Sequence, residues 1–139
     1  MARLPGVRAF LERTKRQALQ QGYVTSMFGR RRYTPDIDSS NVNRRLAAER
    51  MAVNMPLQGS AADIMKMAMI RVHDEIRRRG LRSRMLLQVH DELLFEVPRS
   101  ELRTMADLAV ELMEKVVTLN VPLVVEVAAG ANWDELEPL

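Results

Sequence analysis

The sequence predicts an α+β fold in which helices come first and a β-β-α-β antiparallel sheet follows, with helices packed on one face. Apolar residues recur at helical spacing through most of the first 79 residues. After residue 84, short apolar runs bounded by polar residues dominate instead. The length of 139 residues is that of one ordinary domain, and 47% apolar residues are enough for its core.

The first segment is predicted to be a helix followed by two short extended arms. Apolar residues keep helical spacing from Leu4 to Ala18, and Gly22 is a suitable residue to end the helix. Residues 23–28 and 30–34 are rich in β-branched and aromatic side chains, with Gly29 between them. This pattern predicts two strands around a turn.

Two further helices are predicted before residue 80. One runs from about residue 42 to residue 54, with Ser40 or Asn41 as its N-cap. Met55 precedes a proline, and such a residue avoids helical angles, so we expect a break or kink there. The next helix runs over about 58–79, and its apolar face consists of Ala61, Ile64, Met65, Ala68, Val72 and Ile76.

The last third of the chain supplies the predicted sheet. Residues 85–89 and 93–97 are apolar runs separated by His90-Asp91-Glu92, a spacing typical of a tight β-hairpin. Ser100 is the expected cap of a helix, and 123–127 is the expected third strand. The stripe of that helix is Leu102, Met105, Ala109, Leu112 and Val116.

Charge is distributed unevenly along the chain. Residues 1–84 hold 18 Lys and Arg against 7 Asp and Glu, whereas residues 85–139 hold 3 against 11. Arg outnumbers Lys 18 to 3, and its planar guanidinium suits bidentate phosphate contact, so a polyanionic partner is one interpretation. The alternative interpretation is that the arginines lie on solvated helices, or that the basic and acidic parts of the chain attract one another. No Cys, no long apolar run and no signal core occur, so we expect a cytoplasmic protein without a membrane partner.

The predicted hairpin tip carries the most unusual chemistry. Asp91 and Glu92 are adjacent carboxylates that repel one another unless a cation compensates them. Mg²⁺ takes one or two protein carboxylates together with phosphate oxygens and water, so the tip is a candidate Mg²⁺ anchor; a solvated turn is the alternative. A second interpretation pairs His73-Asp74 with His90-Asp91 as in metal phosphohydrolases, but those enzymes use an all-helical scaffold.

Two groups of basic and amide side chains are candidate contacts for a polyanionic partner. Arg50, Asn54 and Gln58 lie four residues apart, which places them along one stripe of a helix. Such a stripe offers phosphate contacts and hydrogen bonds to groove edges, although a plain exposed face has the same pattern. Arg30, Arg31 and Arg32 at the first turn are either phosphate contacts or a solvated run of charge.

Several motifs in register resemble the C-terminal end of family A DNA polymerases, the bacterial DNA polymerase I type. The resemblance spans nearly the whole chain. The matching segments are 22–25, 28–33, Ala48-Glu49-Arg50-Met51-Ala52, Asn54-Met55-Pro56-Leu57-Gln58-Gly59-Ser60-Ala61-Ala62-Asp63, Gln88-Val89-His90-Asp91-Glu92, 125–127 and 130–133.

The resemblance implies a role for each candidate residue. Residues 1–40 would be the end of the fingers subdomain and 41–139 the C-terminal part of the palm. Asp91 would be a ligand of catalytic Mg²⁺, Glu92 an accessory carboxylate and His90 a contact near the primer terminus. Arg50, Asn54 and Gln58 would contact the template–primer duplex. The implied reaction is attack of a primer 3′-hydroxyl on a deoxynucleoside triphosphate, with two metal ions.

Segments on which the family's chemistry depends do not occur in these 139 residues. They include the palm strand with the second metal-binding Asp, the fingers helix that binds the incoming nucleotide, and the thumb and exonuclease regions. We therefore expect the isolated chain to be inactive, and to self-associate or join a complementing chain through an exposed palm strand edge. The alternatives are a non-catalytic duplex-binding module using Arg30–Arg32, Arg44, Arg45 and Arg50, or a purely structural remnant.

Overall fold

The computed structural model describes residues 5–139, which divide into two compact units. The first unit extends to Asp63 and the second begins at Ile64. The predicted division into residues 1–40 and 41–139 follows family subdomains rather than compactness, and it stays a prediction. No helix among the described residues is both long and apolar enough to cross a membrane.

The first unit begins with a helix and a small hairpin, as predicted. Helix α1 spans Pro5–Gln21, and the predicted apolar position Leu4 lies outside the described residues. Strands β1 (Tyr23–Thr25) and β2 (Arg31–Tyr33) pair antiparallel, with Val24 opposite Arg32. Gly29 adopts φ +82° between the strands, a left-handed conformation that glycine reaches without a steric cost.

An irregularity occurs at Met55 as predicted, because α2 ends at Asn54 and a π-helical turn begins at the next residue. The expectation that Met55 avoids helical angles is wrong, because helical backbone continues through the proline. Helix α2 spans Val42–Asn54, and the Asn41 side chain caps it by accepting hydrogen bonds from two backbone N–H groups. Met55–Gly59 then forms a π-helical turn in which Met55 keeps helical angles of −59° and −45°. The wider turn changes the register of the backbone hydrogen bonds at Pro56, which has no N–H to donate.

Helix α3 spans Ser60–Arg78 and follows the π turn directly. Of its predicted apolar face, Ala68, Val72 and Ile76 are buried, whereas Ala61 is exposed. The core of the first unit combines three alanines with larger apolar side chains: Ala18, Val24, Ile37, Ala48, Ala52 and Met55. The alanines let neighbouring elements approach closely.

The second unit contains the predicted hairpin and its helix. Strands β3 (Arg84–Val89) and β4 (Glu92–Glu96) pair antiparallel, with an irregularity in β3 between Met85 and Leu87. Helix α4 spans Leu102–Glu114. Ser100 does not cap it, contrary to prediction, because a 3₁₀ turn over Arg99–Glu101 precedes the helix and contains that serine.

The predicted third strand at 123–127 is wrong, and so is the single β-β-α-β sheet. The segment pairs with no strand among the described residues, and Glu114 Oε1 accepts a hydrogen bond of 3.0 Å from the Val125 N–H. Strand composition alone cannot form a ladder without a neighbouring backbone. The paired residues come just afterwards, where β5 (Ala128–Ala129) and β6 (Glu137–Pro138) pair antiparallel. The described residues thus form three two-stranded sheets.

Leu108 is the largest fully buried side chain of the second unit, with 2% of its surface exposed. It lies beside the predicted stripe of α4. The core around it is Val72, Ile76, Met105, Leu108 and Ala109, with Leu81, Met85, Phe95, Val97, Leu112 and Met113 packed against it. Helix α4 therefore buries the face that packs on the C-terminal half of α3 and the hairpin.

Glu101 connects the start of α4 to the loop before β3. Its carboxylate accepts hydrogen bonds from the N–H groups of Arg82 at 3.0 Å and Ser83 at 2.9 Å, and from Ser83 Oγ at 2.7 Å. These bonds, first that from the Arg82 N–H, hold the pKa of Glu101 below its ordinary value.

Truncation of Leu108 should destabilise the second unit strongly. We expect Leu108→Ala to lower the free energy of unfolding by about 2–4 kcal/mol, because it leaves a cavity in a packed core. Leu86→Ala is the matched control, since Leu86 is 53% exposed on β3. Urea denaturation followed by circular dichroism measures both, and equal losses would contradict the packing described.

Glu101→Gln should remove an acid-sensitive part of the stability. A depressed pKa contributes stability above the unfolded-state value of 4.5 that is lost as pH falls through the folded-state pKa. The melting temperature of wild type should therefore exceed that of Glu101→Gln at neutral pH, and the difference should shrink as pH falls below 4.5. The same change at exposed Glu126 should leave melting unchanged at each pH. A pH-independent difference for Glu101 would contradict this.

Candidate functional site

The hairpin between β3 and β4 presents three ionisable residues at its tip. Val89 pairs with Glu92, so His90 and Asp91 form a two-residue turn. His90 has φ +53° and is the one non-glycine residue among those described with positive φ. A positive φ at the first turn position is typical of a type II′ turn, whose twist matches that of the flanking strands. A histidine held there stores backbone strain.

A hydrogen bond from Gln88 supports this turn. The Gln88 side chain amide donates to the His90 carbonyl oxygen, which ties the strained residue back to β3. His90, Asp91 and Glu92 are all exposed, and their side chains form no hydrogen bond or ion pair with another described residue. The two adjacent carboxylates thus stand in solvent without a cation from the described part of this chain.

The donor chemistry of the tip fits a hard cation in part. Carboxylate oxygens are the ligands that Mg²⁺ prefers, and it needs only one or two of them from protein. Within residues 5–139, however, no three His, Asp or Glu side chains converge as a metal site. The hairpin tip therefore has ligand-type oxygens but does not by itself form a metal site within these residues. The same finding gives no support to a metal site built from His73-Asp74 and His90-Asp91.

The Arg50, Asn54 and Gln58 stripe runs along α2 into the π turn. All three side chains are exposed, and none bonds to another side chain or backbone group in the described residues. In an α-helix each step of four residues drifts by about 40° around the axis. Because a π turn needs more residues per revolution, it counteracts this drift between Asn54 and Gln58. Ideal helix geometry therefore favours a common direction for the three side chains.

The three arginines at the first hairpin have different environments. Arg31 lies over the Tyr23 ring, with its Cζ 4.6 Å from the ring centroid. Arg32 Nε donates to Met51 Sδ at 3.1 Å, which places it beside α2. Arg30 donates to Asp63 Oδ1 at 2.8 Å and to the Gly59 carbonyl at 2.9 Å. Arg31 and Arg32 form no ion pair with a described residue, whereas the Arg30 guanidinium pairs with Asp63.

Comparison with known proteins decides the family. The model of DNA polymerase family A matches residues 1–135. The chain belongs to DNA polymerase family A. It is 52% identical to DNA polymerase I of Pseudomonas aeruginosa over 134 residues, covering 96% of this chain and 15% of that protein. It is also 52% identical over 129 residues to the thermostable DNA polymerase I of Thermus thermophilus, covering 93% and 15%.

One solved polymerase domain has a similar backbone. The POL domain of Pol1 from M. smegmatis, in complex with DNA primer-template and dNTP, is 53% identical and matches with a TM-score of 0.85. The match covers 88% of this chain and 22% of that chain. The chain thus spans about a seventh of the curated polymerases and about a fifth of the solved domain.

Several residues that shape these surfaces carried no predicted role. Gln88 supports the hairpin tip, while Ser60 and Asp63 receive hydrogen bonds from the first hairpin. Gly59 admits the Met55 side chain, since a Cβ there would lie 2.7 Å from Met55 Sδ. The hydrogen bonds from the first hairpin to Gly59, Ser60 and Asp63 join residues 29 to 33 positions apart in the sequence. Motif spacing alone therefore does not predict them.

Substitutions of His90 should reveal the strain at the tip. We expect His90→Val to lower the free energy of unfolding by about 1–2 kcal/mol, because a β-branched residue tolerates positive φ poorly. His90→Gly should be neutral or stabilising by up to about 1 kcal/mol, since glycine adopts this conformation freely. Urea denaturation measures both variants, and a Gly variant less stable than the Val variant would refute the assignment.

Proposed function

We propose that this chain supplies the DNA-facing and metal-binding part of a DNA-directed DNA polymerase. The parent reaction is attack of a primer 3′-hydroxyl on the α-phosphate of a deoxynucleoside triphosphate, with release of pyrophosphate. In this proposal residues 1–40 end the fingers subdomain and 41–139 complete the palm. Support comes from family membership over residues 1–135 together with the exposed, uncompensated carboxylates at the β3–β4 tip.

Each exposed polar group has a place in the proposal. Asp91 would hold Mg²⁺, with Glu92 as an accessory carboxylate, and the cation would supply charge neutralisation at phosphate oxygens. His90 contacts the primer end from the same rigid turn. A strained but braced turn suits this task because it fixes the carboxylates without long flexible segments. The remaining ligands and the nucleotide-binding side chains come from family segments outside these 139 residues.

The template–primer duplex lies along the Arg50, Asn54 and Gln58 stripe in the proposal. Arg50 meets phosphate, and the amides of Asn54 and Gln58 bond to groove edges without selecting one base pair. Arg31 and Arg32 add phosphate contacts. The stripe is well suited to this because its side chains form no hydrogen bonds with described residues that DNA would have to displace.

In the proposal, a strand of a complementing chain pairs with the free edge of β3 in the β3–β4 sheet. Within the described residues this sheet has two strands, so both of its edges lack a paired strand. Leu86 and Leu87 on β3 are 53% and 41% exposed. An unpaired strand with apolar side chains is a template for another strand. Self-association through this edge is the competing outcome, and sedimentation at several concentrations distinguishes the two.

Primer extension tests the proposal directly. The 139-residue chain should not extend a primed template with Mg²⁺ and four deoxynucleotides by itself, but it should do so with a chain carrying the remaining palm and fingers segments. In the complemented reaction, Asp91→Ala should lower the rate by about 100-fold or more, because an electrostatic group at the reacting phosphate is lost. Asp107→Ala, an exposed carboxylate on α4, should leave the rate unchanged.

Two results would contradict the proposal. Equal rates for Asp91→Ala and Asp107→Ala would remove Asp91 from the site. Extension by the chain alone would show that the family's second metal-binding Asp, which these 139 residues lack, is not required.

The second candidate function is a non-catalytic duplex-binding module, which the exposed arginines favour. Arg31, Arg32, Arg44 and Arg50 are exposed, and Arg45 is half-buried where its guanidinium donates to the Ser39 carbonyl. Such a module would bind duplex DNA with a steep dependence on salt. It would never support extension in the complemented reaction, which separates it from the polymerase proposal.

A further inference from the structure

The turn between β1 and β2 is a compact unit built around Ser26. The Ser26 hydroxyl accepts hydrogen bonds from the N–H groups of Phe28 at 3.3 Å and Arg30 at 3.2 Å. The Ser26 N–H donates to the Arg30 carbonyl at 2.9 Å. Ser26 itself is 4% exposed. The turn is therefore held in one shape, and Arg30 leaves it from a fixed backbone position.

Three hydrogen bonds attach this turn to the π turn and the start of α3. Met27 N–H donates to Ser60 Oγ at 2.8 Å. Arg30 Nη2 donates to the Gly59 carbonyl at 2.9 Å, and Arg30 Nε donates to Asp63 Oδ1 at 2.8 Å. Only a guanidinium has several donors in a rigid plane that reach two acceptors at once, so lysine cannot replace this contact.

The attachment point is the place where the helix is irregular. The Gly59 carbonyl belongs to the π turn, and Ser60 Oγ donates to the Pro56 carbonyl while it receives the Met27 N–H. The π turn changes which carbonyls find N–H partners; the Arg30 side chain bonds to the Gly59 carbonyl, and Ser60 Oγ bonds to the Pro56 carbonyl. The hairpin and the π turn thus stabilise one another.

The contact also fixes the relative position of the proposed DNA contacts. Gln58 directly precedes Gly59 in the π turn, and Arg31 and Arg32 directly follow Arg30 in β2. Arg32 in turn reaches Met51 on α2, next to Arg50. If the bonds from Arg30 to Gly59 and Asp63 were lost, the distance from Gln58 to Arg31 and Arg32 would change.

We propose that Arg30 is a positioning residue: its bonds to Gly59 and Asp63 hold the β1–β2 hairpin against the π turn so that Gln58, Arg31 and Arg32 meet the DNA duplex together. This inference rests on the proposed function. It assigns Arg30 no phosphate of its own. The Arg30 side chain is 46% exposed, so a direct phosphate contact is the competing role that the experiment must separate.

Substitution of Asp63 separates the two roles by the sign of its effect. If Arg30 contacts phosphate, Asp63→Asn removes a nearby negative charge, releases Arg30 and tightens duplex binding. If Arg30 positions the hairpin, Asp63→Asn loosens the contact and weakens binding, although the surface becomes more positive. We expect about tenfold weaker binding for Asp63→Asn and for Arg30→Lys, since each loses charge-assisted hydrogen bonds. The double variant should be no weaker than either single variant.

Salt dependence gives a second readout, with Arg31→Ala as the matched control. Loss of one phosphate contact should reduce the slope of log Kd against log salt concentration by about 0.9. Arg31→Ala should show this reduction, and Arg30→Lys and Asp63→Asn should reduce the slope at least as much, because a loosened hairpin no longer holds Arg31 and Arg32 at phosphates. A tighter Asp63→Asn complex, or full affinity in Arg30→Lys, would overturn the positioning role.

Amide hydrogen exchange without DNA tests the contact itself. The Met27 N–H should exchange faster in Arg30→Lys and Asp63→Asn than in wild type or Arg31→Ala, because its bond to Ser60 depends on the attached hairpin. Unchanged exchange in both variants would overturn the inference while leaving the polymerase proposal standing. Failure of the wild-type chain to bind duplex DNA at any salt concentration would overturn the DNA-facing role, and the inference with it.

Discussion

Pro56 has no N–H to donate, yet helical backbone runs without interruption from Val42 to Arg78. The π turn accommodates this missing donor, and it depends on particular side chains around it. Gly59 must lack a side chain where Met55 packs, and the Ser60 hydroxyl must bond to the Pro56 carbonyl. Arg30 then bonds to the Gly59 carbonyl from a separate hairpin. Several contacts of the first unit are therefore linked to the backbone N–H that Pro56 lacks.

The second unit is organised by a different constraint, namely the attachment of a short hairpin to two helices. Leu108 fills the space between them, and Glu101 holds the loop that leads into β3. Because the base of the hairpin is fixed in this way, its tip can carry a residue with unfavourable φ and two adjacent carboxylates. Stability at the base thus supports the strained, charged geometry at the tip.

The hairpin tip and the β3–β4 sheet each lack partners within the described residues. The hairpin offers carboxylates without a converging third ligand among the described residues, and β3–β4 is a two-stranded sheet within that part of the chain. The chain spans about a seventh of its polymerase relatives. In the function proposed above, other family segments would complete both the sheet and the metal site.

The sequence by itself determined the family, the limits of α2 and the presence of the β3–β4 hairpin, because local residue patterns carry them. Asn41 caps α2 through the N–H groups that follow it, and the polar residues between two apolar runs predict a hairpin around His90. Only the tertiary structure decided what depends on distant partners. Residues 123–127 have strand composition but no strand to pair with, Met55 stays helical within the π turn, and Arg30 bonds to groups 29 and 33 residues away. Periodicity and motif spacing carry no information about such contacts, because folding brings them together through packing rather than local preference.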